Sequence, residues 1–376
     1  MTTEQLLHEG LVPTPGKRIR RGGLHALTGI RFFAAIWVMA FHFGAAFTAR
    51  AHMPKPITTF LEHGDLGVAL FFMLSGFILY YTYQDNLKTS RDLYKFFVAR
   101  LARLYPVYLL ALFISALIQM RLPHGRELLI FPMLQSWGPP VSDLGYEWVI
   151  QAWTLSVEAF FYCCFPLLIL FFRSKRSPLL LWSAATAVFA LIVALQIPMI
   201  HPGVPGTWLT RHIALPIIAV PQFVLGLLLG ALFLRKQELE THAATNDWVT
   251  LAGILPCLAL VAAHVGNYLI TFGGVLAFGW AIYRLANGRG WLTNLLSTRI
   301  MLLLGGASYS VYILQGLVRI ISVRLFAHLH PGLDAALSPV ILISASCIIF
   351  LFYEEPLRDV IRNLLVRKPS TPKVAV

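Results

Sequence analysis

About ten stretches of this chain are long and apolar enough to cross a bilayer as helices: 27–48, 65–84, 97–120, 152–172, 178–199, 213–234, 248–265, 267–286, 300–325 and 335–356. No other feature constrains the fold as strongly. A chain that crosses lipid must satisfy its backbone polar groups internally, which leaves helices or a closed barrel, and runs of this length select helices. With 57% of its 376 residues hydrophobic and 12% charged, the chain is too apolar for a soluble domain of its size. The expected fold class is an all-α polytopic membrane protein. Its expected layout is a basic segment over 1–24, one membrane domain over 25–358 and a tail over 359–376.

The formal charge of +13 would suit a nucleic-acid partner, but its distribution argues against one. Lysine and arginine gather at the N-terminus, in 85–103, 173–177, 235–247 and 284–299, and in the tail. The alternate loops carry fewer. The positive-inside rule then predicts that both termini are cytoplasmic, and an even number of spans agrees. The first span is longer than a signal-peptide apolar region and carries a charge, so it is read as a retained helix. Cys163, Cys164, Cys257 and Cys347 all lie in apolar segments and are read as buried thiols. The longest outer loop, 121–151, contains ELLIFPMLQSW, too short to span. A re-entrant or interfacial helix is expected there, broken by Pro139-Pro140.

Several polar groups fall where a bilayer resists them. Arg31 and His42 sit eleven residues apart in the first span. Eleven helical steps return to within roughly 20° of the start, so the two share one face about 16 Å apart. Glu158 lies roughly two turns into the fourth span. That span runs the opposite way, so Glu158 is expected at the depth of His42, where the two would relieve each other. His42 alone would equally suit a bond to a backbone carbonyl. Arg100 and Arg103 share a face at the head of the third span. Guanidinium forks suit phosphate, yet by spacing alone a topological or lipid-headgroup role is preferred. Gly67, Ser75 and Gly76 read as packing positions. His63 and Asp65 suit a solvated loop as well as an acceptor contact. Ser308, Tyr309, Tyr312 and Gln315 suit interhelical bonding as well as a cavity wall. Arg319 and Arg324 can snorkel. Glu354 and Glu355 are read as partners of inner arginines.

Together these pieces resemble the acyltransferase 3 family of integral membrane acyltransferases. Arg31 and His42 match its basic-x10-His pattern, and GVALFFMLSGF (67–77) is similar to its second-span signature. Arg100 and Arg103 match its R-x-x-R. WTLSVEAFFY (153–162) resembles its W-S-L-x-x-E-x-x-F-Y motif, with Thr154 for the usual serine. SYSVYIL (308–314) and YEEPLR (353–358) match its late motifs, and Gln315 stands where many members carry histidine. The given sequence carries no hydrolase-like domain after the last span, so transfer is expected to finish within the membrane domain.

The resemblance implies a cytoplasmic acyl-CoA donor, acetyl-CoA being the commonest in the family, and no metal. The phosphates would meet Arg100, Arg103 and Arg31, and the thioester would reach His42. His42 would be the general base, Glu158 would hold its ring or the acceptor, and Tyr309 or Tyr312 would donate to the oxyanion. An acyl-histidine intermediate is a competing route. Asp65, Trp153, Tyr312 and Gln315 would line the acceptor side. The implied acceptor is a hydroxyl of a carbohydrate or lipid-linked glycan, such as an exopolysaccharide unit or lipopolysaccharide. The implied location is a bacterial plasma (inner) membrane, with lipids as partners and a homo-oligomer compatible. A transporter or export permease is the alternative, since intramembrane polar groups also mark substrate paths. Such proteins commonly carry internal repeats, and this sequence shows none. Acyl transfer from labelled acyl-CoA separates the two.

Overall fold

The computed structural model describes residues 21–51, 53–138, 147–172, 177–195, 213–239, 246–263, 266–286, 288, 290–326 and 333–366. Residues 1–20, the Pro139-Pro140 break, loops 173–176 and 200–212 and the tail from 367 lie outside them. In chain order the helices are α1 (Arg21–Ala51), α2 (Lys55–Glu62), α3 (Leu66–Tyr83), α4 (Ser90–Gln119), α5 (Trp153–Phe171), α6 (Pro178–Ala194) and α7 (Leu215–Ile218). There follow α8 (Val220–Leu239), α9 (Asp247–Ala262), α10 (Asn267–Ala286), α11 (Trp291–Leu296), α12 (Arg299–Phe326) and α13 (Leu333–Ile349). A π-helical turn, Phe350–Glu354, leads into α14 (Glu355–Val366).

The described residues contain no strand, and the protein is an all-α polytopic membrane protein. Eight helical segments among them are long and apolar enough to cross a membrane. Two more apolar helices, α6 and α9, stand at the fifth and seventh expected spans with 17 and 16 residues. The ends differ from expectation. Helix α1 starts at Arg21, inside the segment read as an N-terminal extension, and α14 continues to Val366, through residues read as tail. In α14 the exposed Val360 and Leu364 lie four residues apart, the spacing of one apolar helix face.

Small residues set the closest approaches. A Cβ at Gly226 of α8 would lie 2.0 Å from the carbonyl oxygen of Met73 on α3, and one at Gly76 would lie 2.1 Å from that of Phe223. Gly76 therefore has the packing role its sequence context suggested. On the other side, a Cβ at Gly305 of α12 would lie 2.0 Å from the Thr28 carbonyl oxygen on α1. Farther along the same pair, an Arg319 guanidinium N–H donates to the His42 carbonyl. Both contacts join residues 277 apart in sequence. Helices α1 and α12 therefore run parallel and in constant register over 14 residues, about 21 Å. Arg31 stands level with Ser308, Ala35 with Tyr312, Val38 with Gln315, and His42 with Arg319.

The segment after α4 is re-entrant but not an α-helix. It doubles back along α4, where the Tyr108 and Tyr105 hydroxyls donate to the carbonyls of Ile130 and Phe131, both at 2.7 Å. Over residues 121–138 its regular structure is a six-residue 3-10 turn, Gly125–Ile130. Two features cut it short. Pro132 has no backbone N–H to carry the turn's hydrogen bonds onward, and Met133 adopts a left-handed φ of 59°. Arg121 ties the segment down. It stacks on Trp148, binds both Glu127 oxygens at 2.8 Å and reaches Glu147 at 2.9 Å.

Gly305→Val would force α1 and α12 apart. Overpacking of this kind costs about 1–3 kcal/mol, so the thermal midpoint in detergent should fall by several degrees. An unchanged midpoint would show that the helices do not meet there. The His124 backbone N–H and the Arg121 guanidinium hold the Glu127 carboxyl below its ordinary value. Because this pKa is depressed in the folded state, the tether holds above the unfolded value of about 4.3 and loosens as pH falls through the lower folded value. Proteolysis of the 121–138 segment should therefore rise below about pH 4.3. A pH-independent cleavage rate would exclude this tether.

Candidate functional site

One cavity lies where α1, α3, α4, α5 and α12 converge. Its volume open to the centres of water molecules is about 60 Å³. Arg31, Arg100, Arg103, Glu158, Tyr309 and Tyr312 all line it, with Thr154, Ser75 and the rings of Phe71 and Phe72. Six of the ten residues singled out in sequence for a site thus share one wall.

Each reaches the cavity for a local reason. Arg31 comes from α1, and its guanidinium lies 5.8 Å from the Phe71 ring centre. Arg100 and Arg103, one turn apart on α4, point the same way. Arg100 donates to the Tyr83 hydroxyl at 3.3 Å and lies 5.5 Å from that ring and 6.0 Å from the Tyr162 ring. Its buried Nε has no hydrogen-bond partner among the described residues. Glu158 accepts a hydrogen bond from Tyr162, one turn along α5. Arg31 and Arg103 both interact electrostatically with Glu158 and with Glu354, whose carboxylate accepts from Ser310 at 2.9 Å. Three guanidiniums thus face two carboxylates, which leaves positive charge for an anionic ligand. Glu354 sits at the end of the π-helical turn, hydrogen-bonded by Ser310 and within the electrostatic reach of Arg31 and Arg103.

Helix α5 shows why Glu158 meets Arg31 rather than standing level with His42. The chain enters α5 through a 3-10 turn, Ile150–Ala152, sunk against α12. A Cβ at Gly316 would lie 3.1 Å from Gln151 Oε1, so Gln151 stands level with Met39. Seven residues along α5 carry the chain about 10 Å farther, to the level of Tyr309, one residue short of the Arg31 level. The expectation that Glu158 and His42 share a depth is corrected accordingly. It placed the start of the fourth span at the membrane surface, whereas this turn begins inside the bundle. The Gln135 side chain donates to the Ala152 carbonyl at 2.6 Å and fixes it there.

Other sequence-selected residues lie outside the cavity wall. His42 is half-buried, edge-on to Phe41 at 5.0 Å, and stands about 10 Å beyond the level of Tyr312. Trp153 packs edge-on against Phe72, and its carbonyl accepts from Ser136 at 3.3 Å. Asp65 is buried at the start of α3, beside Gly64, whose Cβ position meets the Trp37 carbonyl. Gln315 is fully buried one turn from Tyr312 toward the His42 level. The Tyr309 hydroxyl donates to the Leu104 carbonyl at 2.7 Å. The oxyanion role suggested for Tyr309 would require that bond to break first. Sequence reasoning singled out neither Gln151 nor Ser310. A glutamine just ahead of a span carries no motif, and Ser310 shows its purpose only through Glu354.

An all-helical membrane bundle with a buried, cation-rich cavity defines a polytopic membrane protein with an internal polar site. Residues 24–354 match the family model described as an acyltransferase domain, and the chain belongs to that family; it is a membrane acyltransferase. It is 30% identical over 318 residues to the acyltransferase MdmB of Streptomyces mycarofaciens, covering 78% of this chain and 79% of that protein. It is 24% identical over 324 residues to the O-acetyltransferase OatA of Staphylococcus aureus strain NCTC 8325 / PS 47, covering 77% of this chain. That match spans 49% of OatA, about half its length. No solved structure gives a significant match.

Tyr309→Phe should remove the second hydrogen bond to the Leu104 carbonyl and cost about 1 kcal/mol of stability. Transfer rate should fall less than about tenfold. An oxyanion donor would instead cost about 10²–10³ in kcat, and a loss of that size would restore Tyr309 to the chemistry.

Proposed function

We propose that this chain is an acyl-CoA-dependent O-acyltransferase that moves an acyl group, acetyl in the simplest case, to a hydroxyl of a carbohydrate acceptor. The observation that carries the reading is the cavity in which Arg31, Arg100 and Arg103 converge within a member of an acyltransferase family. Guanidinium forks match phosphate oxygens two at a time, and a site poor in water strengthens each contact. The O-acetyltransferase among the relatives supports an oxygen acceptor and an acetyl donor. By the positive-inside rule the arginine end of α1 faces the cytoplasm, where acyl-CoA is made, and the setting is a bacterial plasma membrane.

In this reading the phosphates rest on the three arginines, which Glu158 and Glu354 keep oriented. The arm extends alongside the α1–α12 seam toward His42. The acceptor oxygen attacks the thioester carbonyl carbon while the His42 imidazole takes its proton. A carbon–oxygen bond forms, the carbon–sulfur bond breaks, and the departing thiolate recovers the proton from the imidazolium. Imidazole suits this work because its pKa lies near neutrality. The acceptor approaches from the His42 end, past Asp65 and Trp153, as a glycan or lipid-linked glycan.

Two measurements test this. CoA should raise the thermal midpoint of the purified protein, and Arg100→Gln should weaken that rise about tenfold in CoA concentration, as expected for one charged hydrogen bond. Mass spectrometry of host glycans should show an acyl mark that disappears with His42→Ala, the base contributing about 10²–10⁴ in rate. A His42→Ala protein that still installs the mark at near-normal level refutes the base assignment. Absence of any CoA-dependent stabilisation refutes the donor.

A further inference from the structure

Gln315 presents a problem that the proposed chemistry does not resolve. It is 0% exposed, and neither its side-chain oxygen nor its side-chain nitrogen has a hydrogen-bond partner among the described residues. Burying a carboxamide without partners costs about 1–3 kcal/mol judged from protein mutations. A second unpaired acceptor lies beside it. Gln151 is 3% exposed, its Oε1 likewise has no partner among the described residues, and a Cβ at Gly316 would lie 3.1 Å from that atom. Two buried carboxamides, together offering a free donor and free acceptors, therefore stand at neighbouring levels inside the bundle without bonding each other.

Their position along α12 narrows what they await. The common register of α1 and α12 puts Gln315 level with Val38. That is about 10 Å from the Arg31 level and about 6 Å short of His42. The arm of a CoA thioester runs through thirteen bonds from its nearest phosphorus to sulfur. At roughly 1.2 Å per bond it spans about 16 Å, the separation of Arg31 from His42. The secondary amide nearer the sulfur has its carbonyl carbon nine bonds from phosphorus and four from sulfur. It would stand about 11 Å from the phosphate and about 5 Å from the sulfur. These distances fall at Gln315.

We propose that Gln315 and Gln151 form an amide-reading station for the sulfur-proximal amide of the donor arm. The Gln315 Nε2–H donates to the amide carbonyl, and Gln151 Oε1 accepts the amide N–H from the other side. The station fixes how far the thioester protrudes toward His42. This rests on the acyl-CoA reading given above. A secondary amide also occurs on N-acetylated sugars, and the distances from the arginines favour the donor.

The test compares CoA with an analogue whose sulfur-proximal amide is replaced by an ester, which removes the N–H. Wild-type protein should bind the analogue about tenfold more weakly. Gln315→Leu should bind both about tenfold more weakly than wild type while keeping the preference for the amide, and Gln151→Leu should bind both equally. Because leucine relieves an unpaired buried carboxamide, the ligand-free Gln315→Leu protein should melt higher than wild type, separating lost recognition from misfolding. Arg100→Gln should keep the preference for the amide. If wild-type protein binds CoA and the analogue within twofold of each other, the station is refuted while the donor reading stands. The station is refuted in the same way if Gln315→Leu keeps wild-type affinity for CoA and loses only N-acetylated glycan. If wild-type protein binds no CoA, both readings fall.

Discussion

The parallel contact between α1 and α12 is the constraint on which the site depends. Gly305 lets the Thr28 carbonyl approach where any side chain would block it, and the Arg319 bond to the His42 carbonyl closes the other end. Between those two points one level of α1 faces one level of α12. The register aligns an arginine, two tyrosines, a glutamine and a histidine along a single seam. In lipid no hydrophobic force presses helices together, so small residues and interhelical hydrogen bonds must supply the association. Both are present in this pair.

The cluster of charge at one end of the seam follows from the same physics. An isolated guanidinium inside a membrane bundle is costly, and Arg31, Arg100 and Arg103 are held by aromatic faces and by the carboxylates of Glu158 and Glu354. Compensation is incomplete, since three cations face two anions and the buried Arg100 Nε has no hydrogen-bond partner among the described residues. Such a deficit at a cavity is what the proposed anionic donor would fill. The opposite end of the seam carries the imidazole instead, so in the proposed reaction binding charge and proton transfer would be separated along one helix pair.

Much of this was legible in the chain. Apolar run length fixes where helices lie, since lipid leaves the backbone few other choices: eight of the expected spans coincide with helices long and apolar enough to cross, and the fifth and seventh with shorter apolar helices. The helical period alone aligned Arg31 with His42 and Arg100 with Arg103. Depth was less legible, because it depends on where a span begins relative to its neighbours. Glu158 illustrates this: a 3-10 turn sunk against Gly316 shifts it by several residues, and that turn is held by Gln135, a residue of a distant loop. The re-entrant segment was recognised by its length, but its conformation is decided by Pro132 and by tyrosine bonds from α4. Gln151 was silent in sequence, since its meaning lies in an unmade hydrogen bond.

A donor whose phosphates and reacting carbon lie at opposite ends of the α1–α12 seam is the central claim. An electron cryo-microscopy structure with a non-reactive thioether analogue of acetyl-CoA tests this most directly. Phosphate density is expected against Arg31, Arg100 and Arg103, with the sulfur within hydrogen-bonding distance of an acceptor site at His42. Density that leaves the arginines empty, or that directs the sulfur away from His42, would contradict it.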